Sequence, residues 1–291
     1  MLRVTVAGGR RLRRDNRLVN RLPALLCVFL VAPAYAAKLT DRCAAAFDRY
    51  VALTEARTNA DLTPDRFLRI ASPPDARAAL RAGQTRIQPS VTLDNGKTIN
   101  VPGGMIQDWV GAMFIPGATI AHVKAVLQDY AHYQDFYQPE VTESKQIGQK
   151  GDEFDVFLRL SKKQVITVVL DTNYHVRYSL LDARHMYVVS HSTRIAQVKD
   201  PKHPDAGEDP VGNDLGTLWR INAYWRFEEA DSGVYAECEA ISLSRDVPGL
   251  IAWMVRGFVE KFPKESMQNT LRGTQAAVIK QVELGPRVGR H

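Results

Sequence analysis

Between residues 140 and 245 the chain keeps returning to one pattern, apolar residues at every second position over runs long enough to be strands. QVITVVLDTNYHVRYSLLD (164–182) is the longest. Its even positions Ile166, Val168, Leu170, Tyr174, Val176 and Tyr178 are apolar, while Asp171, His175 and Arg177 are odd. Successive strand side chains point to opposite faces, so the even set predicts a buried face. EVTESKQIG, DEFDVFLRLS, HMYVVSHSTRIAQVK, TLWRINAYWRFEE and VYAECEAISLSR behave similarly, with turns at Lys150-Gly151 and Asp231-Ser232-Gly233. About six consecutive strands joined by short turns make an antiparallel sheet.

Helical signals flank this block. MIQDWVGAMFI (105–115) reads as a strand closed by Pro116-Gly117, and Thr119 can cap the helix after it. Ile120, Val123, Leu127, Tyr130 and Tyr137 recur at helical steps up to Pro139, which predicts a helix or helix pair over 119–137. A long helix is expected from Pro248 to about Glu283, with Pro263 kinking or splitting it. The fold class is therefore α+β. A curved antiparallel sheet of about seven strands, with helices on one face, grips a C-terminal helix and leaves a cavity between them. Upstream, Cys43, Ala44, Phe47, Tyr50 and Val51 mark a helix over 38–60. Short helical pieces come next around Pro73-Pro74, then a hairpin turning at Asn95-Gly96. Residues 37–103 read as an N-terminal extension, 104–283 as the main domain and 284–291 as a tail.

The segments GAMFIPGATIAHVKAVLQDYAHYQDFYQPEV and SRDVPGLIAWMVRGFVEKFPKESM, with this order of elements, resemble the START-like (SRPBCC) superfamily over about 104–283. That resemblance implies a helix-grip fold around an apolar pocket. It also implies functions such as lipid carriage, coenzyme Q binding or polyketide aromatase/cyclase activity. The extension and a polar loop at 200–216 go beyond the minimal pattern.

The net charge of +6 suggests nucleic-acid binding until it is located. Seven of the 38 basic residues and one of the 32 acids fall in residues 1–36, leaving 31 of each sign. A basic phosphate-binding surface is not expected on the rest. The arginines precede the apolar run LPALLCVFLVAPAYA, which ends in Ala34-Tyr35-Ala36. Positive region, short apolar run and small-residue site predict a secretory signal peptide, hence a periplasmic or secreted protein. Removing it would leave no transmembrane segment. An uncleaved anchor is the alternative. Cys43 and Cys238 would then remain, expected as two separate buried thiols.

No metalloprotease, nucleophile-elbow, phosphate-loop or dinucleotide motif is present, nor any cysteine or histidine spacing for a metal. No cofactor is expected. Ligand-lining candidates come from strand parity and helical spacing: Tyr130, Tyr133, Tyr137, Val168, Tyr174, Tyr178, Trp219, Trp225, Trp253, Met254 and Phe258. His191 and Thr193 join them if the odd face of 185–198 points inward. His191 and Glu237 are the candidates for proton transfer. Each has a plainer reading: His191 as a core or surface histidine, and Glu237 in an exposed cross-strand pair with Arg226. The tyrosines divide between core packing and pocket rim. The primary expectation is a monomeric, exported protein binding a hydrophobic small molecule or lipid. A metal-free cyclase or dehydratase and an envelope protein-interaction module are the alternatives.

Overall fold

One short strand of the extension and the long strands of the main domain meet in one sheet. The computed structural model describes residues 37–163, 167–246 and 249–284, with 249–262 described by backbone alone. In chain order the elements are β1 (Ala37–Lys38), α1 (Asp41–Ala60), α2 (Pro74–Arg81), β2 (Arg86–Pro89), β3 (Leu93–Asp94) and β4 (Lys97–Thr98). Then come β5 (Gly104–Pro116), α3 (Ile120–Leu127), α4 (Tyr133–Phe136), β6 (Val141–Lys150), β7 (Glu153–Lys163), β8 (Thr167–Leu180) and β9 (His185–Gln197). The chain closes with β10 (Asn213–Asp214), β11 (Arg220–Ala230), β12 (Gly233–Arg245) and α5 (Gly249–Leu284). Residues 1–36, expected as a signal peptide, the tail beyond Leu284 and the side chains of Trp253, Met254 and Phe258 lie outside the described residues.

The main sheet is antiparallel, curved and open, with eight strands in the order β2-β5-β12-β11-β9-β8-β7-β6. Seven belong to the block after Gly104, and the extension adds β2 as the eighth. Local chemistry explains the joints. Thr119 caps α3, its hydroxyl accepting from the His122 backbone N–H while the His122 ring accepts from the Thr119 N–H. Asn95 and Gly96 both take positive φ, which closes the β3–β4 hairpin. At Gly111 on β5, a Cβ would stand 2.8 Å from Met267 Cγ and 2.9 Å from Leu271 Cδ1. A glycine there lets α5 rest on β5. Helix α5 packs chiefly on β5, α3 and α4, so it stands away from β7 and β8.

Four expectations are corrected. Helices cover both faces of the sheet. Helix α1 and the segment 67–80 lie on the outer face, with Cys43, Phe47 and Tyr50 packed on Tyr187, Tyr224 and Ile241, and Phe67, Ile70 and Leu80 near Val110, Phe114 and Tyr235. The Arg226–Glu237 pair therefore forms across the expected register but is not exposed, since both side chains are fully buried. Helix α5 is also not split at Pro263, running unbroken from Gly249 to Leu284. Finally, β9 presents its even residues Met186, Val188 and Ser190 inward. Its pairing with β8 shifts between Asn173 and Tyr174, leaving Thr193 without a partner in the ladder.

The outer face holds a buried ionic layer. Glu237 accepts from the backbone N–H groups of Arg69, Ile70 and Ala71 at 2.8–3.2 Å and meets Arg226 at 3.1 Å. Glu239 meets Arg57 at 2.5 Å and Arg69 at 2.9 Å. Burial opposes its charge, but the two guanidinium groups outweigh that and hold the carboxyl below its ordinary range. Asp108 is different. Burial, and then the Glu239 charge, push its carboxyl up to about 7, although the Tyr50 hydroxyl donates to it at 2.8 Å.

The loop 200–216 is fastened down. Its Glu208 pairs with Arg194, Asp209 takes a bond from Gln197, and β10 pairs with β1. Cys43 and Cys238 are both buried free thiols on opposite sides of the sheet. Among the described residues no helix is long and apolar enough to cross a membrane.

Candidate functional site

The gap between the inner sheet face and α5 is a hollow with two lobes, of about 250 and 310 Å³. Leu160, Ile221, Ala223 and Trp225 border both, so the lobes meet along the middle of the sheet. Strand alternation puts these residues here. β7 turns Val156, Leu158 and Leu160 inward, β8 turns Tyr174, Val176 and Tyr178, and β11 turns Ile221, Ala223 and Trp225. On β12 the small residues Cys238, Ala240, Ser242 and Ser244 line the second lobe and leave it room.

The aromatic stretch 130–137 forms one end of the first lobe. Tyr130 Oη lies 2.6 Å from Tyr178 Oη, and Tyr178 donates to the Leu127 carbonyl at 2.7 Å. Tyr133 donates to the same carbonyl at 2.6 Å, and Tyr137 Oη lies 3.0 Å from Thr274 Oγ1 on α5. The rings meet one another and Phe154 in tilted and edge-to-face contacts. Each hydroxyl is thus tied while its ring faces the hollow, which joins packing and lining in one residue. Burial raises the Tyr130, Tyr133 and Tyr178 hydroxyls well above their ordinary value, and those of Tyr137 and Tyr174 to about 12. They are neutral hydrogen-bonding groups at any physiological pH.

Of the residues singled out in the sequence, Tyr130, Tyr133, Tyr137, Tyr174, Tyr178 and Trp225 border the first lobe, and Val168 and Trp225 the second. Four others stand elsewhere. His191 lies on the outer face, its Nε2 2.7 Å from Glu55 Oε1, and that contact leads in holding the Glu55 carboxyl below its ordinary range. Thr193 is exposed at the β9 irregularity. Trp219 precedes β11, sits in the outer cluster, and donates from Nε1 to Asp214 at 3.2 Å. Glu237 is across the sheet from the hollow, under the extension. None of residues 200–216 is among the described lining.

The polar lining was missed. Glu140, Lys162 and Ser266 border the hollow, with Asn269 and Ser190 in the first lobe. Glu140 accepts from Lys162 Nζ at 2.6 Å, from Ser266 Oγ at 3.0 Å and from Asn269 Nδ2 at 3.1 Å. Lys162 was findable, because the inward even series of β7 (154, 156, 158, 160) continues to 162. Among the described residues no group of histidine, cysteine and carboxylate side chains could hold a metal ion.

No family model and no curated protein matches the sequence. Among solved structures, the chain is similar to a STAR-related lipid transfer protein from Xanthomonas axonopodis, at 17% identity and a TM-score of 0.42, over 67% of this chain and 98% of that one. It is also similar to the Zhui aromatase/cyclase from Streptomyces sp. R1128, at 11% identity and 0.42, over 64% and 99%. Human STARD10 matches at 12% identity and 0.42, over 73% and 82%. At these identities and TM-scores the likeness carries neither a ligand nor a reaction across.

Proposed function

We propose that this chain binds a hydrophobic small molecule or lipid in the hollow between sheet and α5. The observation that carries the reading is an apolar sheet face left unfilled. Closing a core is the default for such a surface. The space is lined mainly by apolar side chains and is partly open to solvent, the form of a ligand pocket.

Export as a monomer, with residues 1–36 as signal peptide, belongs to the same proposal and is supported by the charge distribution alone. N-terminal sequencing of the secreted protein should begin at Ala37, and size-exclusion should give one chain. For binding, solvent extracts of the purified protein are analysed by mass spectrometry and an apolar fluorescent probe is titrated. An apolar molecule that co-purifies, and probe binding that Ala223→Phe abolishes by filling the hollow, support the proposal. No extracted molecule and no probe binding would defeat it.

The cyclase or dehydratase alternative needs proton-transfer groups in the hollow. His191 and Glu237 cannot serve there, and the tyrosine hydroxyls are neutral and already bonded, which leaves Glu140 and Lys162, 2.6 Å apart on the described lining, as the pair that reading would rest on. The interaction-module alternative needs an exposed apolar patch on the extension. Its large apolar side chains are mostly buried, with Val91 and Leu93 as the exposed exceptions.

A further inference from the structure

We propose that Glu140 and Lys162 are the head-group site of the hollow, and that its occupant is an uncharged amphipath bearing a hydroxyl. This rests on the binding reading above and adds the ligand's chemistry to it.

Three observations lead here. Glu140 borders both lobes, so its carboxylate stands where they meet, with apolar wall on either side. Glu140 and Lys162 are the only charged side chains among the described lining residues, and they oppose each other at 2.6 Å. The described lining therefore presents one cation and one anion facing each other. An ionised head would find a like charge beside it or would have to part the pair in a half-dry place. Both are unfavourable. An alkyl carboxylate meets Glu140, and an alkylammonium meets Lys162.

The third observation shows what does fit. Ser266 Oγ donates to Glu140 Oε2 at 3.0 Å, so a hydroxyl already occupies one bonding direction of the carboxylate. Ser266 and Asn269 belong to α5, while Glu140 and Lys162 belong to the sheet side. A ligand hydroxyl entering between them replaces a serine or asparagine bond like for like, donating to Glu140 and accepting from Lys162. Its apolar chain then runs into the lobes beside Trp225 and Leu160. No net charge is buried, and the displaced Ser266 or Asn269 group, half-buried or exposed, turns to water.

The test uses the full chain and three ligands of one chain length: a primary alcohol, a fatty acid and an alkylamine. Each competes with an apolar fluorescent probe at a pH where the acid and the amine are ionised. The alcohol should displace the probe at about tenfold lower concentration than either ion. Glu140→Gln removes one negative charge yet keeps an acceptor oxygen for Ser266 and Asn269, so the acid should gain about tenfold relative to the alcohol. Lys162→Gln should shift the amine in the same way. The opposite directions of the two variants exclude a general loss of fold as the cause. Equal displacement by all three ligands in the native chain, or ratios unmoved in both variants while the probe still binds, would overturn this inference alone. A native chain that binds no probe would overturn the binding reading and this one with it.

Discussion

The two faces of the sheet solve opposite problems. The inner face is apolar and is left partly empty. The outer face carries Arg226, Glu237, Glu239 and Asp108, the residue types least suited to an interior, and they are buried under α1 and the segment 67–80. A hydrophobic face can tolerate a hollow because an apolar guest can complete it. A charged face cannot, because every ion there needs its partner in place. Rigidity on the outer side is what permits vacancy on the inner one.

Breaking the outer layer should cost most. Arg226→Ala leaves Glu237 buried without its cation, and loss of one partner of such a pair costs about 3–5 kcal/mol. Urea denaturation would read this, and a loss below about 1 kcal/mol would deny that the layer holds the extension. Its pH dependence comes next. The Asp108 carboxyl is raised from 3.8 to about 7 in the folded chain. The folded state therefore keeps a proton that the unfolded state has released. This contribution is fully present below pH 3.8 and is lost as pH rises through about 7. Urea midpoints tracked across that window should fall for the native chain from this cause, and Asp108→Asn should flatten the profile.

Enlarging one alanine on each face sharpens the contrast directly. Ala112 is fully buried in the outer cluster, so Ala112→Phe should cost about 1–3 kcal/mol through overpacking. Ala223 borders both lobes, so Ala223→Phe should cost less than its outer counterpart and block the probe. Equal penalties at the two sites would mean the inner face is as full as the outer. The smallest effect belongs to Tyr133→Phe. Leu127 keeps the Tyr178 bond, so the cost should stay near or below 1 kcal/mol and probe binding should persist.

The inner face could be read in advance because period-2 alternation survives in β7, β8, β11 and β12. Strand β9 could not. Tyr187 and Val189 are as apolar as Met186 and Val188, since both faces are covered, and alternation then gives no phase. The unpaired Thr193 adds a residue that a strict period cannot register. Trp219 failed for a related reason, because the strand begins one residue after it. The ionic layer was hidden by distance. Glu237 reads as solvent-facing while the backbone groups it binds, at Arg69, Ile70 and Ala71, sit some 170 positions earlier. A charged residue looks exposed until its counter-ion is known. Glu140 was read only as the start of a strand, and its neighbours Ser266 and Asn269 come from the far helix.

Strand β2 has a consequence beyond shape. It lies along β5 from Arg86 to Pro89 and so closes off the backbone of one end of the sheet. The opposite end, β6, carries Lys145 and Lys150 and two register irregularities. Both are ways of discouraging strand-to-strand association between molecules. A fragment beginning at Gly104 would bare a 13-residue strand rich in Trp, Met, Phe and Ile. Such a fragment should self-associate and precipitate, so the extension guards solubility as much as it fastens the fold.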